Sequence, residues 1–104
     1  MDLTHKKLRW TLLPQKPLKE VVKVLNWGAE KYSDWNWKTI PNRKRVFIEA
    51  ALRHLMGYLE KDMDPTMKDE ESGHHPIAHC ITDLLFVLDK DIELKEKPEF
   101  NEQE

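Results

Sequence analysis

Residues 69–89 read "DEESGHHPIAHCITDLLFVLD", and the folding of this stretch decides the class of the molecule. Ile77, Ile81, Leu84, Leu85 and Leu88 recur at helical spacing. Pro76 suits a first helical position, with His75 near the cap. The pattern predicts a helix from about Pro76 to about Asp89, with that stripe as its main core face. Cys80, Phe86 and Val87 carry apolar surface round most of the helix, so it is expected to be the most buried element. Yet His79 and Asp83 stand one turn apart on it, away from the Ile77–Leu84–Leu88 stripe. Charged groups in an apolar helix are costly unless something pairs with them. An ion pair or a metal would serve.

Working outward, "KDMDPTMKDEESGHH" holds Pro65, Gly73 and several acids without regular periodicity, and reads as a connection. Before it, a second helix is expected from about Arg43 to Glu60, with Ile48, Leu52, Leu55 and Leu59 on one face. Glu49, Arg53 and Glu60 fall on a second stripe roughly 100–140° around the wheel. Ala50 and Gly57 are small enough to admit a neighbouring backbone. A first helix is expected from Pro17 to near Tyr32, carrying Leu18, Val21, Val22, Leu25 and Ala29. Residues 1–16 form an N-terminal arm with Trp10, Leu12 and Leu13, lying over the core or over a partner subunit. Residues 90–104 form a charged tail, broken by Pro98 and expected to fray. No stretch alternates as a strand. The expected fold is all-α: three main helices over 17–89, plus the arm.

Composition sets the bounds. A chain of 104 residues suits one domain with a modest core. Seventeen basic against nineteen acidic residues leave a formal charge of −2, which gives bulk charge no case for nucleic-acid binding. Cys80 has no second cysteine to pair with, and its apolar run suits a buried thiol. No apolar run is long enough for a membrane span, and "MDLTHKKLRW" lacks a signal-peptide core, so a cytoplasmic protein is expected.

His79 and Asp83, four residues apart, are neighbours that can meet one divalent cation. A local His–Asp pair, or a polar edge facing solvent, accounts for them equally well. His75 and His79 have HxxxH spacing without the glutamate of the zinc-protease motif, and no His-Asp dipeptide occurs. Asp69, Glu70 and Glu71 precede the helix and Glu49 projects from the second helix. Such hard oxygen donors suit Mg²⁺ or Mn²⁺. Solvated loop acids and a Glu49–Arg53 surface pair are the bland alternatives. Arg53 offers a planar fork for phosphate, with His54 beside it. The loop "KYSDWNWK" supplies Lys31 and Lys38 for phosphate, Asn36 for polar recognition, and Trp35 and Trp37 as base platforms or core plugs.

"WGAEKYSDWNW", "EAALRHL" and "DEESGHHPIAH", in that order, resemble the small phage-type dATP/dGTP diphosphohydrolases (MazZ-like), relatives of the all-α MazG-like nucleoside triphosphate pyrophosphatases. The likeness covers roughly Leu13 to Asp89. It implies hydrolysis of a purine deoxynucleoside triphosphate to the monophosphate and pyrophosphate, with Mg²⁺ or Mn²⁺. It places Glu49, Glu71, His79 and Asp83 at the metal, and Lys31, Asn36, Arg53 and His54 at the nucleotide, where Trp37 and Lys38 join them. Glu71 accepts a proton and Arg53 steadies phosphate charge in that scheme. The chain departs from the broader ExxE…ExxD pattern: Cys80, not glutamate, stands three residues before Asp83. Residues eight apart on a helix are about 12 Å apart along its axis, so Glu71 must fold back from its loop and Glu49 must arrive from a facing helix. A homodimer or homotetramer that completes the pocket is expected. A non-catalytic helical protein that binds a nucleotide or a partner is the alternative, and another metal phosphohydrolase is a third.

Overall fold

Three helices carry the chain in the computed structural model, which describes residues 7–97: α1 (Gln15–Lys31), α2 (Arg43–Glu60) and α3 (Pro76–Lys95). Short 3₁₀ turns occupy Trp10–Leu12 and Asn36–Thr39, and no strand occurs among the described residues. Residues 1–6 of the expected arm and 98–104 of the expected tail lie outside the described residues. The fold is all-α, as the periodicity requires. No helix among the described residues is long and apolar enough to cross a membrane.

Local chemistry accounts for the helix ends. His75 is extended (ψ 136°), the conformation a following proline enforces, and its Nδ1 accepts from the Ile77 N–H at 3.0 Å. α1 begins at Gln15, two residues before Pro17. A proline in the first turn costs nothing there, because those N–H groups have no helical partner anyway. α3 continues past the expected end at Asp89 to Lys95, since its last turns are tied down. Lys44 meets Asp91 at 2.8 Å, and Arg43 meets Glu93 at 3.2 Å and Asp89 at 3.5 Å.

α3 is the central element, packed chiefly on α2 and secondarily on α1. The faces it uses are not those the apolar periodicity selects. Ile48, Leu52, Leu55 and Leu59 of α2 are 40–54% exposed, and Ile81, Leu84, Leu85 and Leu88 of α3 are 40–55% exposed. The buried residues of α3 are instead Pro76, Ala78, His79, Cys80, Thr82, Asp83 and Phe86. Most side chains on the buried side are small or flat, the kind that lets packed helices approach closely. Ala51 and Ala78 are buried, Thr82 donates to the Ala78 carbonyl at 2.8 Å, and Phe86 lies between Trp37 (4.3 Å, stacked) and Phe47 (4.9 Å, edge-on). Trp37 is thus a core plug. Ala51, rather than Ala50, is the fully buried alanine of α2, and beside Gly57 the nearest atom is the Met67 tip rather than a backbone.

Arg43 clamps the start of α2 to the end of α3. Its side chain is 4% exposed, its guanidinium lies 5.3 Å from the Trp37 ring, and its Nε has no hydrogen-bond partner. Asp89 and Glu93 remain more than a third exposed, so solvent screens much of the pair's attraction. Arg43→Ala is expected to cost about 1–2 kcal/mol, mostly through lost packing and hydrogen bonding, as read by urea denaturation.

Candidate active site

The segment 69–75 folds back as a turn built by one aspartate. Asp69 accepts from the backbone N–H groups of Glu71 (3.1 Å) and Ser72 (2.9 Å), and its own carbonyl accepts from the Gly73 N–H at 2.8 Å. Gly73 sits at φ 76°, a left-handed conformation that glycine adopts without strain. Burial would raise the Asp69 carboxyl, but the Ser72 backbone bond and the nearby His79 hold it below its ordinary value. The turn delivers Ser72 Oγ to within 2.6 Å of His79 Nε2, while the same hydroxyl accepts from the His74 N–H at 3.1 Å.

His79 belongs to a buried cluster. Its ring stacks on His54 of α2 (4.7 Å, 19°), and Trp27 of α1 meets it edge-on at 5.5 Å. Asp83, one turn along α3, places Oδ2 3.9 Å from His54 Nε2. That distance is too long for a hydrogen bond, and Oδ2 is buried without a partner. Burial lowers the pKa of His54, and it lowers that of His79 with help from the neighbouring His54, so both rings favour the neutral state. Burial also raises Asp83 to about 7, against a smaller opposing pull from Arg53. The cluster therefore holds two neutral imidazoles and a carboxyl poised near neutrality. Such a combination can exchange protons near neutral pH, and it leaves one oxygen free for an electropositive ligand.

Of the residues expected at a site, His54, His79 and Asp83 converge from α2 and α3. Lys31 and Glu71 meet at the edge: they form an ion pair, and the Lys31 ammonium sits 5.1 Å from the Trp27 ring. Arg53 is exposed on α2, and its charge acts on both Asp83 and His54. Glu49 does not join them. It is 53% exposed beside Arg45 (4.0 Å), rather than paired with Arg53, and it points about 140° away from His54 around α2. Asn36, Trp37 and Lys38 lie further along α3, at the level of Phe86 and Asp89. The Asn36 carbonyl accepts from Thr39 Oγ1 at 2.7 Å, and Lys38 reaches Asp89 at 3.7 Å. Trp27 and Ser72 are site residues that sequence reasoning missed. The D-x-x-S-G spacing of 69–73 is the turn signal that could have found Ser72. Nothing local marks Trp27.

Among the described residues, no three or more histidine, cysteine, aspartate or glutamate side chains gather into a cage for a metal ion. The orphaned Asp83 oxygen fits a different kind of site. Mg²⁺ is usually bound through one or two carboxylates and takes the rest of its shell from water and substrate phosphates.

A family model described as dATP/dGTP diphosphohydrolase, N-terminal, matches residues 2–100. A dATP/dGTP diphosphohydrolase of Salmonella phage PMBT28 is 32% identical over 78 residues, which are 75% of this chain and 25% of that protein. The match thus spans about a quarter of the relative's length. No solved structure matches.

Metal-free protein offers a direct check on Asp83. Between pH 3.8 and about 7 the folded state keeps a proton that the unfolded chain has released. This group's contribution to stability therefore falls as pH rises through that window. The two histidines act oppositely: their lowered pKa values remove stability as pH falls below about 6.5. Asp83→Asn removes only the first effect. Relative to wild type it is expected to gain up to about 4 kcal/mol between pH 4 and pH 8, as read by urea denaturation at each pH.

Proposed function

Because the chain belongs to the dATP/dGTP diphosphohydrolase family, we propose that it hydrolyses dATP or dGTP to the monophosphate and pyrophosphate, in the cytoplasm, with Mg²⁺ or Mn²⁺. The observation that carries this reading is the unpartnered Asp83 Oδ2, buried beside two neutral imidazoles where α2 and α3 meet. Such an atom is costly in a finished interior and is suited to an incoming cation.

Asp83 would hold the ion through that oxygen. When bound, the ion supplies positive charge against the triphosphate and a polarised water. His54, 3.9 Å from Asp83, stays neutral and adds no repulsion to a cation there. For the His79 Nε2 to join the ligands it must let go of the Ser72 hydroxyl, which links cation binding at that nitrogen to the 69–75 turn. Arg53 faces outward with a charge that persists at any working pH, and can take a phosphate oxygen. Lys31 is the second phosphate contact. Its ion pair with Glu71 gives the step an order: once Lys31 turns to the substrate, the Glu71 carboxylate is released to accept a proton. Asn36, Trp37 and Lys38 contact the nucleotide only if it extends along α3 toward Asp89. Glu49 stays outside the single-chain site.

Incubation with each dNTP and Mn²⁺ is expected to give pyrophosphate and dNMP from dATP or dGTP. Inorganic phosphate would mark a different phosphohydrolase, and unchanged nucleotide the non-catalytic binding alternative. Asp83→Asn is expected to weaken metal affinity at least about tenfold, no less than the loss of a group that only supports a ligand, with unchanged helical circular dichroism. Undiminished turnover in that variant removes Asp83 from the site.

A further inference from the structure

Ser72 Oγ holds two contacts at once: it lies 2.6 Å from His79 Nε2 and accepts from the His74 N–H at 3.1 Å. A hydroxyl carries one hydrogen and two lone pairs. The His74 N–H uses a lone pair, and among the described residues the hydroxyl hydrogen has no acceptor other than Nε2. Were Nε2 protonated, it would donate to the second lone pair and leave that hydrogen unpaired in a part-buried turn. Donation from Ser72 to Nε2 satisfies every group. Burial and the neighbouring His54 keep the His79 ring neutral, so it carries a single proton. With Nε2 accepting, that proton sits on Nδ1.

The contact is held from both ends. Asp69 fixes the turn through the backbone N–H groups of Glu71 and Ser72, and Gly73 takes the left-handed conformation that closes it. His79 is buried, with its ring stacked on His54 and edged by Trp27, so it has little room to swing its lone pair elsewhere. Which cation such a cluster takes depends on the donors it offers. Imidazole nitrogen attracts Zn²⁺ and Ni²⁺, whereas Mg²⁺ and Mn²⁺ favour carboxylate and water oxygens. His54 Nε2 already lies 3.9 Å from the orphaned Asp83 oxygen. A second open imidazole in the same cluster would tip it toward nitrogen-seeking ions. The Ser72 hydroxyl covers that second lone pair.

We propose that Ser72 is a positioning residue whose hydroxyl donates to His79 Nε2, fixes the ring with its proton on Nδ1, and withholds the ring's lone pair from cations. The site then favours oxygen-seeking Mg²⁺ and Mn²⁺ over nitrogen-seeking Zn²⁺ and Ni²⁺. The cation preference rests on the reading of Asp83 as the ion's ligand. The position of the ring proton does not, and it stands whether or not the site turns over nucleotide.

The experiment is nitrogen-15 NMR of the imidazole rings in the metal-free, nucleotide-free, full 104-residue chain near neutral pH. The expected His79 pattern is a bare Nε2 and a protonated Nδ1; a protonated Nε2 in the wild-type protein overturns the proposal. Ser72→Ala is expected to shift the ring toward the Nε2–H form, and Ser72→Thr, which keeps the hydroxyl, to preserve the wild-type pattern. A Ser72 that merely holds the turn would leave the nitrogen pattern unmoved, so an unchanged pattern in folded Ser72→Ala protein also overturns it. Calorimetric titration with Zn²⁺ alone and with Mn²⁺ alone reads the cation preference. Ser72→Ala is expected to tighten Zn²⁺ at least about tenfold and to leave Mn²⁺ unchanged. Unaltered Zn²⁺ affinity refutes the preference. Should Ser72→Ala fail to fold, the wild-type spectrum still decides. A bare Nε2 in a protein without turnover sinks only the catalytic reading, and a protonated Nε2 in an active enzyme sinks only this one.

Discussion

α3 packs against α2 through the side that bears a carboxylate, an imidazole and a hydroxyl, and this constraint shapes everything else. Close contact requires small or flat groups, which Ala51, Ala78, Thr82 and Phe86 provide. His79 and Asp83 share that side, so they are carried inside with them. Removing a carboxylate from water favours its protonated form, and removing imidazoles from water favours their neutral forms. The pKa displacements of Asp83, His54 and His79 all follow from that one act of burial.

The same packing leaves the leucine and isoleucine stripes on the outside, and the chain's interior is correspondingly thin. Its stability then leans on specific polar and aromatic contacts: Arg43 between α2 and the end of α3, and Phe86 between Trp37 and Phe47. The arrangement divides labour across one helix. One side of α3 holds groups that can exchange protons, and the other holds exposed hydrocarbon.

Between α2 and α3, the 69–75 turn converts a polar loop into a precise support. Asp69 accepts from two backbone donors, and the turn they hold brings the Ser72 hydroxyl to His79. Glu71, carried on the same turn, lands beside Lys31 of α1. All three helices therefore reach the cluster, α1 through Trp27 and Lys31, α2 through His54, and α3 through His79 and Asp83.

The amino-acid sequence by itself determined three helices, the cap at His75 and Pro76, and the pairing of His79 with Asp83 on one helical turn. These depend on contacts within a few residues, where spacing fixes geometry. It also showed which residues of α2 and α3 are apolar, but periodicity names a face without naming what covers it. The tertiary structure decided that those faces stay exposed in the single chain, while the faces bearing small and flat side chains meet. It decided too that His54, Trp27 and Ser72 meet His79 while Glu49 turns away. Such meetings depend on how separate helices are rotated against one another, and no local spacing contains that angle.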